Sequence, residues 1–199
     1  MPRISETDLE QIKQEILQGA RECFVTYGYD GATVSRLEET IGKSRGAIFH
    51  HFKNKDALFL AVAHDDMLRM TASAKEHGMI GLIRHILASP ERTGWWTMRV
   101  EILRRVRNDP HFRAKWELDQ RALRAAVHDR LSGRHSAGKL RNDVDPETMY
   151  QVLDVVLEGV MAKLSTDVST EGIPQALDHI EQSLRAPQGA TPVSYTHLT

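Results

Sequence analysis

A single cysteine, Cys23, rules out any internal disulfide framework and suits a reducing compartment. Aromatic residues make up only 6% of the chain and runs of β-branched residues are short, which turns the expectation away from sheet and toward helix. No apolar stretch is long enough to span a bilayer, and the opening MPRISETDLEQIKQ lacks the apolar core of a signal peptide, so a cytoplasmic protein that makes no use of a membrane is expected. Net charge is lacking too: 26 Lys+Arg stand against 27 Asp+Glu, a formal balance of -1. Any surface for a polyanion must therefore be local. What is present is an ordinary globular composition, 41% hydrophobic and 27% charged over 199 residues, enough for a buried core in one domain or two.

Helix signals punctuate the whole length. Three times a capping residue stands directly before proline, at Ser89-Pro90, Asp109-Pro110 and Asp145-Pro146. The cap oxygen serves the first free N–H groups, and proline at the first helical position sacrifices no bond. A first helix is expected from Ser5 to Tyr27 on the four-residue steps of Ile12, Ile16, Ala20 and Phe24, ended by Gly28 and Gly31. Short helices then follow over Thr33–Ile41 and Ser44–His51, and Asn54 caps a longer one carrying Leu58, Phe59, Val62 and Met67. Beyond Gly78 the pattern gives Met79–Ala88, Pro90–Arg107, Pro110–Leu131, a polar loop over Ser132–Val144, a helix from Pro146 with Met149, Val152, Leu153, Val156, Leu157, Val160, Met161 and Leu164, and a last helix from Gly172 to Leu184. The fold class is all-α, about nine helices. No internal repeat is visible. The tail from Pro187, rich in Pro, Gly, Ser and Thr, reads as disordered, and its final Val193–Thr199 matches nothing before it and reads as artefactual.

The most informative stretch is TVSRLEETIGKSRGAIFHHFKNK, Thr33 to Lys55. Two short helices around a glycine turn make a helix-turn-helix, with the second sized for a major groove. Within it Arg36, Lys43, Arg45, Lys53 and Lys55 face only Glu38 and Glu39, a local positive balance of the kind that phosphate contact requires. Ser44 is placed to cap the second helix. Arg45, at its leading end, can fork onto guanine O6 and N7. Gly46 and Ala47 allow close approach, and the Ala47 methyl can meet a thymine methyl. Ile48 and Phe52 are expected to hold the helices together.

These residues carry a resemblance to the TetR family of bacterial repressors. Its pattern is a Gly-x-Ser turn, a short helix ending in aromatic-rich His-Phe, then Asn/Ser-Lys; here those are Gly42, Ser44, Phe49, His50, His51, Phe52, Asn54 and Lys55, with Phe24, Gly28, Ala32 and Thr33 also falling where the family places them. The resemblance implies an N-terminal three-helix DNA-binding domain, set at residues 1–53, and a C-terminal effector-binding and dimerisation domain at 54–186, the tail occupying 187–199. It implies DNA contacts from Thr33, Lys43, His51 and Lys55 besides the recognition-helix residues. Phe49 stands where the family usually carries tyrosine, so apolar contact replaces a phosphate hydrogen bond. A homodimer on an inverted repeat of double-stranded DNA is expected, its interface drawn from Val152, Val156, Val160, Leu177, Ile180 and Leu184.

Charges on apolar stripes mark the sensor half. Arg99 falls among Trp95, Ile102, Leu103 and Val106; Arg130 lies on the face of Leu123, Ala126 and Val127; Glu181 sits between Leu177 and Leu184. Charges taken from water need partners. Either they pair with one another, for instance Arg130 with Glu181, or they bind a small anion with a divalent ion held by the carboxylate. The stretches RLEETIGKSRGAIFHHF, NDPHFRAKW and STEG are similar to the aconitase repressors of actinobacteria, which implies control of a citric-acid-cycle gene and a citrate–magnesium effector, with Arg99, Arg130 and Glu181 as effector residues, Glu181 meeting the metal through the effector, and no obligatory cofactor. Two alternatives differ in kind. One is an efflux-gene repressor sensing a hydrophobic drug through Trp95, Trp96, Phe112 and Trp116. The other is a helical metal-dependent phosphohydrolase built on His64-Asp65 and His128-Asp129, whose adjacent residues point in different directions. No enzymatic activity is expected.

Overall fold

The computed structural model describes residues 6–88, 96–166 and 168–186. Eight helices account for nearly all of them: α1 (Glu6–Gly31), α2 (Val34–Ile41), α3 (Arg45–His51), α4 (Lys55–Ala88), α5 (Trp96–Asn108), α6 (Pro110–Ser136), α7 (Pro146–Ser165) and α8 (Ile173–Leu184). The only extended pairing among the described residues is one antiparallel bridge between Leu140 and Arg185. Two of the eight are interrupted, α1 at Gly28 (φ 67°, ψ 174°) and α4 at Gly78 (φ 76°, ψ 174°). The expected stop at Gly78 is therefore a sharp break within a continuous run, and counting α4 as two rods restores the expected nine. Helix α6 continues five residues past the expected Leu131, to Ser136, which shortens the polar loop. Ser89-Pro90, Trp95 and the tail from Pro187 lie outside the described residues.

The marked caps form as chemistry dictates. Asp109 accepts from the backbone N–H groups of His111 (2.9 Å) and Phe112 (3.0 Å), and Asp145 from that of Thr148 (2.9 Å). Asn54 accepts from the Ala57 N–H at 2.8 Å, starting α4.

Helices α1 to α3 close on Ile16, Ala20, Cys23, Phe24, Leu37 and Ile48, each at most 1% exposed. Helix α4 runs out of this unit and becomes the spine of a bundle packed by α5, α6, α7 and α8. One hydrophobic core links the two parts: Phe24 of α1 meets Phe59 of α4 edge-on (5.1 Å), and Phe59 stacks on Phe112 of α6 (6.3 Å). Among the described residues no helix is long and apolar enough to cross a membrane.

The α1–α4 joint also buries charge. Arg21 donates through Nε to Asp66 Oδ1 (2.7 Å) and through Nη2 to Asp65 Oδ2 (2.6 Å), while Arg69 shares Asp65 at 3.0 Å. One guanidinium thus serves two carboxylates, and Asp66 Oδ2 has no partner among the described residues. Burial pushes the Asp66 carboxyl up to about 6 against the pull of Arg21, with Asp65 adding to the rise and Arg69 opposing it. A folded value above the ordinary carboxylate range near 3.9 means that protonation favours the native state. Asp66's contribution is full below about 4 and lost as pH rises through about 6, on the order of 3 kcal/mol. Asp66→Asn should remove that loss. Urea denaturation from pH 3 to pH 8 checks it: the difference in stability between wild type and variant should move with pH between about 4 and about 6 and level off above, and parallel curves would refute the assignment.

Candidate DNA interface and effector cavity

Helix α3 has seven residues, too short to persist by itself, and its neighbours hold it. Gly42 closes α2 in the left-handed conformation (φ 70°), a geometry in which a side chain is strained, and its N–H reaches the Glu38 carbonyl. Ser44 Oγ then accepts from the Ala47 N–H (3.3 Å), and the Glu38 carboxylate accepts the Arg45 N–H (2.6 Å). Glu38, counted in the sequence only as opposing charge, therefore caps the recognition helix from α2. Ile48 is fully buried and Phe52 is 6% exposed, pinning the inner face. The outer face presents Ser44, Arg45, Gly46, Ala47 and His50 to solvent, with Phe49 and His51 half-buried. His51 meets His50 ring to ring, edge-on at 5.5 Å.

The other candidate contacts have partners inside the chain. Thr33 Oγ1 accepts the Arg36 N–H at 3.4 Å, so it caps α2. Lys43 pairs with Glu15 of α1 at 2.9 Å, which holds the Glu15 carboxyl below its usual range. Lys55 donates to the Tyr29 carbonyl (2.9 Å) and lies over that ring. Arg45 has its side chain at the exposed leading end of α3.

In the bundle, a cavity of about 130 Å³ opens between the second half of α4, the end of α6 and α8. It contains both Arg130 and Glu181, with Val127, Leu131 and Leu153 as apolar wall. The two do not pair with each other. Arg130 donates Nη1 to the Lys75 carbonyl (2.9 Å), close to the Gly78 break, while Glu181 accepts from Arg84 (2.8 Å) and Arg185 (2.7 Å), which together hold its carboxyl below the usual range. Arg84, Arg134, Arg185 and His77 also line the cavity. Sequence reasoning missed these four because only a charge on an apolar stripe was treated as a signal, and all four are exposed, His77, Arg84 and Arg134 on their helices and Arg185 just past the end of α8.

Arg99 is not in this cavity. It pairs with Glu158 of α7, a partner one helix away that spacing does not reveal. Phe112 and Trp116 are core residues and do not line it either. Of the expected interface residues, Val160 of α7 (3% exposed) and Leu177 (0%) and Leu184 (9%) of α8 pack inside their own chain, because the apolar faces of both helices serve the bundle first. Val152 is exposed, Val156 and Ile180 are half-buried, and Val155, absent from the expected set, is exposed by 70%. The two His-Asp pairs do not converge: His64 bonds Asp119 (2.8 Å), Asp65 holds Arg21, and His128 meets Ser132 (3.5 Å). Among the described residues no group of three or more His, Cys, Asp or Glu is placed to hold a metal ion.

A three-helix unit with a capped, exposed third helix, carried on a helical bundle, defines a helix-turn-helix DNA-binding regulator. Residues 16–62 match the family model described as bacterial regulatory proteins, tetR family. The chain is 59% identical over 187 residues to the HTH-type transcriptional repressor AcnR of Corynebacterium jeikeium, covering 94% of this chain and 99% of that one. It is 46% identical to the HTH-type transcriptional repressor Rv1474c of Mycobacterium tuberculosis, covering 93% and 99%. A TetR transcription regulator from Haloarcula marismortui shares the fold at TM-score 0.72 and 18% identity, covering 88% and 97%. The chain belongs to the TetR family, closely related to the AcnR repressors of actinobacteria, and is a regulator rather than an enzyme.

Gly78 ties the cavity to the spine. Its backbone lies in a region open almost solely to glycine, and a Cβ there would stand 3.0 Å from Arg130 Nε. Gly78→Ala should cost about 1–3 kcal/mol and displace Arg130. Denaturant titration reads the first, and an unchanged midpoint would show that the break is not required.

Proposed function

We propose that this chain is a dimeric repressor that binds an inverted repeat in the operator of aconitase or another citric-acid-cycle gene and is released by a citrate–magnesium complex. The observation that carries the effector reading is the cavity, where four arginines and a histidine surround one carboxylate. That surplus of positive charge suits a small polyanion. Both oxygens of Glu181 are engaged by arginines, and among the described residues it is the only acidic one lining the cavity. The site therefore has too few donors to hold free magnesium, and the cation would arrive already coordinated by the effector's own carboxylates. The similarity to AcnR repressors along nearly the full chain supports the repressor half of this reading. The drug-sensing alternative loses ground, since neither Phe112 nor Trp116 faces the cavity.

On the DNA side, the DNA-binding domain is taken as residues 1–53 and the sensor as 54–186. Arg45 reads a base edge, Gly46, Ala47 and Phe49 lie against the groove wall, and His51 and the α2 end at Thr33 contact phosphate. Lys43 and Lys55 hold their own partners first and contribute weaker phosphate contacts. The second protomer packs on the outward stripe of α7 and α8, Val152, Val155, Val156 and Ile180. The two recognition helices must then sit about 34–36 Å apart. An effector drawing on Arg130 pulls at the Lys75 carbonyl, the end of the α4 rod whose other end begins beside the recognition helix. A switch from 99:1 to 1:99 needs about 5.5 kcal/mol of differential binding.

Two measurements test these halves separately. Arg45→Ala should cost about 1–3 kcal/mol on a selected operator and much less on random duplex; equal losses would reduce Arg45 to a phosphate contact. In calorimetry, citrate with magnesium should bind the wild type and bind Arg130→Ala weakly or not at all. Equal heats for the two proteins, or none for either, would overturn the effector assignment and leave the DNA reading intact.

A further inference from the structure

A second charged joint lies away from the effector cavity, where α1, α4 and α5 meet. Tyr29 follows the Gly28 break in α1, Asp56 occupies the first turn of α4, and Arg105 reaches back from the last turn of α5. The guanidinium of Arg105 donates Nη1 to Asp56 at 2.7 Å and Nε to Glu101 at 2.7 Å. It also covers the Tyr29 ring (4.0 Å) and reaches the Phe59 ring (5.3 Å). The Tyr29 hydroxyl donates to the same Asp56 oxygen, and Lys55 lies 4.2 Å from the ring centroid. The Tyr29 side chain is thus tied at its hydroxyl and flanked by two cations.

We propose that Arg105 is a positioning residue for operator recognition: by clamping Tyr29 and Asp56 from the sensor side, it fixes the angle of the helix-turn-helix on the bundle and so the spacing of the two recognition helices in a dimer. Three features distinguish it from an incidental surface ion pair. Its side chain is only 13% exposed even though Asp56 is 59% exposed, so the guanidinium is held by packing on the Tyr29 and Phe59 rings as well as by charge. It is oriented by a second carboxylate of its own helix, Glu101, 16% exposed. And Tyr29 lies past the Gly28 break, where the helical hydrogen bonds of α1 no longer dictate its direction, so contacts from outside α1 must. Arg21 holds the middle of α1 to α4; Arg105 holds its far end. Two separated attachments fix an orientation, whereas one leaves a pivot.

The inference rests on the dimeric operator-binding reading but not on the effector. The test uses the full chain without effector. Nitroxide labels go on Ser35→Cys, an exposed α2 position, since the native Cys23 is fully buried and should not label. Wild type should give a narrow distance distribution between protomers, and Arg105→Ala a broader one. Operator affinity should fall by about tenfold or more in that variant, with affinity for random duplex unchanged. Arg105→Lys, which keeps the charge but not the planar fork, should fall between, and Tyr29→Phe should show a smaller loss of the same kind. Where Arg105→Ala fails to fold, the Lys and Phe variants carry the comparison. Folded variants with wild-type distances and an unchanged ratio of operator to random-duplex affinity would overturn the proposal. A wild type with no preferred duplex would instead sink the operator-binding reading itself.

Discussion

A helix of one and a half to two turns gains too few internal hydrogen bonds to offset the entropy of forming it, and α3 is such a helix. It exists because Ile48 is sunk into the α1–α2 core, Ser44 caps it from the turn, and Glu38 caps it from α2. None of these anchors lets α3 move by itself. Its orientation is that of the whole three-helix unit, and whatever tilts the unit tilts the one helix able to enter a groove. Regulation of DNA contact then reduces to how that unit is seated on the bundle.

The seat combines two kinds of interaction with different tolerances. The edge-on and stacked rings of Phe24, Phe59 and Phe112 bury apolar area and permit small slides at little cost. The charged contacts of Arg21 with Asp65 and Asp66 do not; a buried guanidinium shifted from its carboxylates loses their attraction while keeping its desolvation cost, and the shielded fork of Arg105 on Glu101 is constrained in the same way. Adhesion thus comes from the rings and angle from the ion pairs. The unpartnered oxygen of Asp66 shows that this rigidity is held at some expense of stability.

Much of the architecture was legible because its signals are local. Asp-Pro at two helix starts, Asn54 before α4, Gly42 in the turn and Gly78 at the break each act within a few residues, and each appears where the chemistry requires. The cavity was half legible. Arg130 and Glu181 stood out as charges on apolar stripes and do line one space, yet Arg99, picked out by the same reasoning, answers to Glu158 on another helix. A stripe reveals that a charge is turned inward but not which neighbour it meets. Arg84, Arg134 and Arg185 sit on outward positions that converge only when three helices assemble. The α7 stripe was less legible for a related reason: period alone cannot divide an apolar face between its own bundle and the outside, and Val160 is buried in the bundle while Val155 is exposed.

The cavity's charge pattern bears on what it can discriminate. Four arginines alone would accept any small anion. Glu181, set between Arg84 and Arg185, changes that, because an incoming carboxylate must either displace it from those partners or lie beside a like charge. A divalent cation carried by the ligand turns that repulsion into attraction, since one metal can sit between the ligand's carboxylates and the protein's. On the effector reading proposed above, Glu181 therefore acts less as a grip than as a filter: it penalises the bare anion and rewards the complexed one, while Arg130, bonded to the Lys75 carbonyl at the broken end of α4, passes the outcome to the spine. Recognition and transmission are thereby divided between two side chains facing the same small volume.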